Sequence, residues 1–148
     1  MVKTEVHQQC LLVLEDKINR CVDLMNDAQE SANNDTKSSA GDKHETSRAM
    51  AMLEKEKLAN QLGELDKMRE VLTKIDAQSS SSAIGVGSLV FTNVGVFYLS
   101  IALGKILVDD AMLFCISKAS PMGEKLAGKS SGDSFELNAK TITVEKVL

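Results

Sequence analysis

The chain has 148 residues and a formal net charge of −4, with 43% hydrophobic but only 3% aromatic residues. This length suits one domain or two small ones, and few aromatic residues are typical of helix-rich, coiled-coil sequences. The acidic balance argues against autonomous DNA or RNA binding, which usually requires a basic surface. Because the polar N-terminus lacks the apolar core of a secretory signal, we expect a cytoplasmic protein whose three cysteines are reduced thiols.

The first half of the chain carries the pattern of an antiparallel two-helix coiled-coil hairpin, which we predict for residues 1–78. Apolar residues recur at alternating spacings of three and four over residues 11–32, and a similar stripe covers residues 51–75. Such spacing is that of an a/d seam. The turn-prone stretch 33–41 interrupts the pattern, and two helices joined by a short break pack most simply antiparallel.

The acidic tip of this hairpin, residues 38–46, reads SSAGDKHET and contains Asp42 and Glu45. Asp42 is a favourable N-cap for the second helix, and Glu45 then takes the third helical position, as in a capping box. The same spacing places two carboxylates on one exposed turn, where they can supply oxygen ligands to Mg²⁺. Two carboxylates do not complete a metal site, so chemistry at the tip would need ligands from another macromolecule.

The second half is predicted to be a small domain of α+β class at residues 84–148, after a Ser-rich linker at residues 79–83. Residues 83–104 contain no charged side chain and are long enough to span a bilayer as a helix. However, glycines and the turn signal TNVG divide this window into two runs rich in Val, Phe, Ile and Tyr. The window therefore predicts buried strands, and a membrane-spanning helix is the less favoured alternative.

The remaining pattern of the domain predicts an antiparallel sheet with one short helix against it. Ser120 and Pro121 are typical of the N-cap and first residue of that helix, and Gly128 closes it. Strands are expected near residues 88–92, 96–101, 105–109, 112–117, 133–137 and 141–147.

Residues 117–133, SKASPMGEKLAGKSSGD, resemble the C-terminal signature of the GreA/GreB family of bacterial transcript-cleavage factors. That signature runs Ser-x-x-Ser-Pro, an apolar residue, a small residue, Leu, Gly-Lys and Gly-Asp. GDKHE at residues 41–45 also resembles the Gly-Asp-x-x-Glu of the family's tip. The resemblance implies that the C-terminal domain is FKBP-like and binds RNA polymerase. The residues that it assigns to partner binding are Ser120, Pro121, Met122, Gly123, Gly128, Lys129, Gly132 and Asp133.

The resemblance further implies a transcription elongation factor that is not itself an enzyme. The coiled coil would enter the secondary channel of bacterial RNA polymerase, and Asp42 and Glu45 would be supplied to the active centre as catalytic carboxylates. There they would help to hold a Mg²⁺ ion shared with the polymerase, which then cleaves its own backtracked RNA at the 3′ end. No cofactor is expected on the protein alone, and neither DNA nor a membrane is an expected partner.

The sequence departs from the family after Glu45, where the family usually continues Asn-Ala-Glu-Tyr and this chain reads TSRA at residues 46–49. The family's RNA-contacting arginines near the tip are not matched, and Lys37, Lys43 and Arg48 are the candidates for that role. The differences leave open an alternative function, in which a Gre-like regulator binds the polymerase and occludes its channel without promoting cleavage.

Two hypotheses from other classes have less support. A prolyl isomerase with a coiled-coil dimerisation arm would need an aromatic-lined pocket, for which four Phe, one Tyr and no Trp are few. An acyl-transfer enzyme would need a cysteine beside a base. His7 and Cys10 are the candidate pair, and the sequence indicates that they lie on an exposed helix.

Overall fold

The computed structural model describes the backbone of residues 1–35 and 41–148, and the side chains of residues 1–34 and 45–148. By compactness the chain divides into unit 1, residues 1–13 with 68–148, and unit 2, residues 14–67. The helices and strands are α1 (Lys3–Asp35), α2 (Gly41–Lys74), β1 (Leu89–Thr92), β2 (Gly95–Leu99), β3 (Gly104–Val108), β4 (Ala111–Ile116), α3 (Pro121–Leu126), β5 (Ser134–Leu137) and β6 (Lys140–Val147).

Unit 2 consists of two antiparallel helical segments, one from α1 and one from α2. Ile18, Cys21 and Leu58 are buried along the seam between them, and the Cys21 thiol donates to the carbonyl oxygen of Leu58 at 3.3 Å. Further along, Lys55 Nζ donates to Gln29 Oε1. Later residues of α1 therefore meet earlier residues of α2, which is the antiparallel arrangement that the heptad pattern predicts.

Among the described residues of unit 1, six strands form a sheet in the order β3-β4-β2-β1-β6-β5. The neighbouring strands pair antiparallel except for β2 and β4, which run parallel. Residues 109–110 and 138–139 form two-residue turns in which every φ is positive, as type I′ hairpins require. The predicted α+β class, with a helical hairpin before a mostly antiparallel sheet and one short helix, is confirmed.

One face of the sheet forms the core of unit 1 with α3. Phe97 of β2 stacks on Phe114 of β4, with ring centroids 5.7 Å apart. Leu126 brings α3 into the same cluster and is fully buried. The buried members of this cluster are Ile84, Val90, Phe97, Leu99, Leu126 and Val144.

The first turns of α1 contact the opposite face of the sheet, within unit 1. Tyr98 alternates with the core residues of β2 and therefore points to this second face. Its hydroxyl lies 2.7 Å from His7 Nδ1, and Cys10 Sγ lies 2.9 Å from Cys115 Sγ. At the start of the helix, Lys3 Nζ donates to the carbonyl oxygen of Ser79 at 2.7 Å. Both faces of the sheet are thus in contact with helical residues.

The strand predictions are confirmed to within two residues at every boundary. The uncharged window at 83–104 contains β1 and β2 instead of a helix, and none of the helices in the described ranges is both long and apolar enough to cross a bilayer. The boundaries predicted from the sequence, 1–78, 79–83 and 84–148, stay a prediction. Compactness groups both the start of α1 and the end of α2 with the β domain.

Candidate functional site

The signature segment, residues 117–133, begins with the cap of α3. Ser120 has extended backbone angles, φ −69° and ψ 156°, and its Oγ accepts a hydrogen bond from the Gly123 N–H at 3.0 Å. The same hydroxyl donates to the carbonyl oxygen of Ser117 at 2.7 Å. Pro121 fills the first helical position, where its missing N–H is not needed. The prediction that Ser120 and Pro121 start a short helix is confirmed.

Gly123 is buried against the turn that precedes α3. A Cβ atom at this position would lie 2.1 Å from the carbonyl oxygen of Ser117 and 2.9 Å from Ser120 Oγ. The first of these contacts is with backbone, which cannot move aside as a flexible side chain can. The small residue of the signature is therefore required by the packing of this turn.

Gly128 ends α3 and joins the signature segment to the start of the β domain. Its φ is +82°, a conformation that glycine adopts without a steric penalty. The N–H of Gly128 donates to the carbonyl oxygen of Ile84 at 2.8 Å, and the N–H of Ile84 donates to that of Lys129 at 2.8 Å. The prediction that Gly128 closes the helix is confirmed, and the glycine also allows this reciprocal pairing.

Gly132 and Asp133 align the end of the segment with β6. Asp133 Oδ2 accepts from the Ser130 N–H at 2.7 Å and so stabilises the turn. The N–H of Gly132, whose φ is +94°, donates to the carbonyl oxygen of Val144 at 2.8 Å, and Val144 N–H donates to that of Asp133 at 2.8 Å. The Gly-Asp pair therefore has a structural role in entering the last hairpin.

The eight residues predicted to bind a partner lie along α3 and its two flanking turns. Gly123 is buried and Met122 packs against the core cluster, so these two act mainly within the domain. Lys129 Nζ lies 5.4 Å from the centre of the Phe135 ring, a cation–π contact. The assignment of the set to partner binding stays a prediction. The members that the structure leaves exposed are Pro121, Gly128, Gly132 and Asp133.

The acidic tip falls partly outside the described residues. α2 begins at Gly41, so the backbone of Asp42 lies inside the first helical turn and not ahead of it as the predicted N-cap. Residues 36–40 and the side chain of Asp42 lie outside the described residues, whereas Glu45 is described and exposed. Asp42 and Glu45 are three positions apart on one helix, and positions with that spacing share a helix face.

A carboxylate pair at this turn has the oxygen donors that suit Mg²⁺, which commonly takes one or two protein carboxylates and completes its shell with water or phosphate. Among the side chains that the structure describes, no cluster of three or more His, Cys, Asp or Glu residues could hold a metal ion. That a partner supplies further ligands to a metal site at the tip stays a prediction.

The candidate RNA-contacting residues, Lys37, Lys43 and Arg48, are near the tip carboxylates in sequence. Lys37 lies outside the described residues, and so does the side chain of Lys43. Arg48 is on α2 and exposed. Contact of these residues with RNA stays a prediction.

The expectation that His7 and Cys10 lie on an exposed helix is wrong. Cys10 is fully buried and contacts Cys115, while His7 is partly buried against Tyr98. The predicted seam begins at Leu11, whereas Cys10 is the buried residue of this turn and Leu11 is only half-buried. Neither residue could be placed against the sheet from the sequence, since their partners are far along the chain.

The electrostatics of this cluster favour neutral groups. Burial, followed by the nearby charge of Lys3, lowers the pKa of His7. Burial, followed by the neighbouring Cys10 and Cys115, raises the pKa of Tyr98. The hydrogen bond with Cys10 and then burial raise the pKa of Cys115. A protonated, buried thiol is not an activated nucleophile, so this arrangement does not favour acyl transfer.

Three of the five aromatic residues occupy positions that do not favour a prolyl isomerase. Phe97 and Phe114 stack on each other in the core cluster, and Tyr98 is fully buried under α1. Rings that are engaged in packing in this way do not line an open substrate pocket.

Comparisons with known proteins give one point of reference. No family model and no curated protein sequence matches the chain. The chain is similar to the solved structure of the transcription factor Gfh1, with 21% identical residues, 90% of each chain covered and a TM-score of 0.35.

Proposed function

We propose that this protein is a Gre-like transcription elongation factor that binds bacterial RNA polymerase and stimulates cleavage of backtracked RNA. The polymerase's own active centre would perform the cleavage. In this proposal the protein is an accessory factor and carries no cofactor when alone.

The observation that carries the proposal is the agreement between the signature segment and the local structure it forms. Ser120 caps α3, Gly123 packs where no Cβ fits, and Gly128 takes a positive φ at the helix end. The signature positions therefore specify one particular helix and its turns, which supports the resemblance over residues 117–133. The order of a helical hairpin before a β domain is also the order that the resemblance implies.

The tip supplies the chemistry in this proposal. The part of α2 in unit 2, residues 41–67, is roughly 40 Å long at 1.5 Å per residue, which suits a probe that reaches a buried centre. Asp42 and Glu45 lie in the first turn at its end. When a shared Mg²⁺ is bound with the polymerase, the ion supplies water activation and stabilisation of the leaving oxygen. The carboxylates of this chain contribute negative oxygen ligands and orient the site.

A second candidate function is supported by the residues that follow Glu45. The chain reads TSRA at residues 46–49, where the family usually has Asn-Ala-Glu-Tyr, and Arg48 is exposed there. A factor with an altered tip can occupy the channel without completing the metal site. This regulator would slow nucleotide entry and leave backtracked RNA uncut.

The experiment uses the full chain and a stalled, backtracked elongation complex of a bacterial RNA polymerase labelled at the RNA 3′ end. The proposal predicts short labelled 3′ fragments that appear faster with the protein than with Mg²⁺ alone. Occlusion without cleavage predicts no added fragments but slower extension by nucleoside triphosphates. If a binding assay shows no association with the polymerase, both functions are wrong.

A further inference from the structure

The geometry points to a modification site that the proposed function does not use, a reversible disulfide bond between Cys10 of α1 and Cys115 of β4. The two Sγ atoms lie 2.9 Å apart, and both residues are fully buried or nearly so. A disulfide requires about 2.05 Å between its sulfur atoms. Closing the remaining gap of about 0.9 Å is within the reach of small side-chain rotations.

A second contact keeps α1 and β4 in the relative position that the Cys10–Cys115 disulfide needs. Tyr98 is the register partner of Cys115 in the parallel pair β2–β4, and its hydroxyl lies 2.7 Å from His7 Nδ1. His7 precedes Cys10 by three residues, so the two contacts lie on neighbouring positions of one helix face. While α1 is packed on the sheet, the His7–Tyr98 contact helps to hold Cys10 opposite Cys115.

The reduced thiols of Cys10 and Cys115 are close enough for oxidation, but they are unreactive while they are buried. In the reduced form one thiol donates to the other, and this hydrogen bond together with burial raises the pKa of Cys115. Reaction therefore requires local opening of the first turns of α1 away from the sheet. Opening exposes Cys10, whereas Cys115 stays in an interior strand of the sheet.

The oxidant that suits this site is a low-molecular-weight disulfide. The Cys10 thiolate attacks one sulfur of the oxidant, and the other half leaves as a thiol after taking a proton. While the first turns of α1 are still open, the Cys115 thiol loses its proton and its thiolate attacks Cys10 Sγ, and the second half of the oxidant leaves and takes up that proton as a thiol. Two electrons pass from the cysteines to the oxidant, and the two cysteine protons end on the two released thiols. The mixed disulfide is too bulky for the buried site, which favours the second step.

Cys21 provides a matched control within the same chain. It is also buried on α1, but its thiol donates to the carbonyl oxygen of Leu58 in unit 2. It lies 11 residues beyond Cys10, about 16 Å along a helix, and cannot join the same bond. Burial alone therefore does not distinguish the cysteines, and only the pairing of Cys10 with Cys115 does.

The test incubates the full folded chain overnight with oxidised glutathione, with reduced dithiothreitol in a parallel sample, followed by alkylation in denaturant and peptide mass spectrometry. We expect one cross-linked peptide pair that joins Cys10 to Cys115, and one alkylated cysteine, Cys21. Because the bond closes a loop between residues 105 apart in sequence, the Tm of the oxidised protein should rise by about 5–10 °C. Cys21→Ser should retain both effects.

Three outcomes would overturn the proposal. The first is three alkylated cysteines in the oxidised wild-type sample, and the second is a lasting glutathione adduct on Cys10 without the cross-link. The third is a cross-link that includes Cys21. The search for the cross-linked peptide pair in the wild-type protein tests the proposal even if Cys10→Ala or Cys115→Ala fails to fold. If those variants do fold, neither should gain in Tm on oxidation.

Discussion

The carbonyl oxygen of Ser117 occupies the space that a Cβ atom at residue 123 would need, only 2.1 Å away. This relationship explains why the turn before α3 requires glycine at that position. It also ties the cap at Ser120 to the packing of α3, because the Gly123 N–H donates to the Ser120 side chain.

Replacing Gly123 with alanine should destabilise the β domain. The added methyl group must displace backbone, so we expect the free energy of unfolding to fall by about 1–3 kcal/mol or more. The measurement is urea unfolding followed by circular dichroism. Gly85→Ala is the matched control, since a Cβ there meets nothing within 4 Å. Equal unfolding midpoints for the two variants would show that the turn can rearrange at no cost.

Removing the hydroxyl of Ser120 should weaken the start of α3. Ser120→Ala deletes the acceptor for the Gly123 N–H and the donor to Ser117, and the loss of an N-cap costs about 0.5–2 kcal/mol. Thermal unfolding of the variant measures this loss. Ser80→Ala, at an exposed serine, should leave the Tm unchanged. A Ser120→Ala variant as stable as the Ser80→Ala control would contradict the capping role.

Protonation of His7 should make stability depend on pH. Burial and the charge of Lys3 lower its pKa in the folded protein below the ordinary value of 6.5, so the unfolded chain binds the proton more tightly. The contribution of neutral His7 to the free energy of unfolding is therefore fully present above pH 6.5, and it decreases as the pH falls below that value. Urea midpoints at about pH 7.5 and about pH 5.5 should differ more for wild type than for His7→Gln.

The second histidine of the chain gives the control for this pH dependence. His44→Gln removes the other histidine and should keep the wild-type difference between the two pH values, because His7 is still present. The account of His7 is wrong if His44→Gln abolishes the difference and His7→Gln preserves it.

The strands and the short helix were predictable because their signals are local. β-branched and aromatic runs separated by glycine and turn residues predict β1 and β2, and Ser120 with Pro121 predicts the start of α3. What local patterns do not specify is which strands become neighbours. The parallel pairing of β2 with β4 follows from the packing of the whole domain, whereas the sequence pattern predicts only antiparallel pairs.

The pairing of Cys10 with Cys115 could not be predicted, since the two residues are 105 apart in sequence and neither has a spacing signal. The start of α2 was misplaced for a different reason. Asp42 is an equally good residue for an N-cap and for the first helical turn, so propensity alone does not fix the first residue of the helix. The tip carboxylates themselves were found from the spacing of Asp42 and Glu45 and from the resemblance.

The tip carboxylates should be needed for RNA cleavage but not for folding or polymerase binding. Asp42→Asn with Glu45→Gln preserves the size of both side chains and removes both negative charges from the shared metal site. If Asp42 and Glu45 only stabilise the start of α2, the double variant should lose about 0.5–2 kcal/mol in the free energy of unfolding and no RNA cleavage activity. Each single variant should recover part of its activity at raised Mg²⁺, because one carboxylate still contributes to the site.

The most direct test of the proposed function is therefore the rate of 3′ RNA fragment release from a backtracked elongation complex with the double variant. Its control is Asp23→Asn with Glu54→Gln, which removes the same charges at exposed positions of α1 and α2 outside the tip. We predict that the control cleaves like the wild type, while the Asp42/Glu45 variant binds the polymerase and releases no fragments above the level of the polymerase alone. Undiminished cleavage by a folded Asp42/Glu45 variant would contradict the proposal that these carboxylates complete the polymerase's metal site.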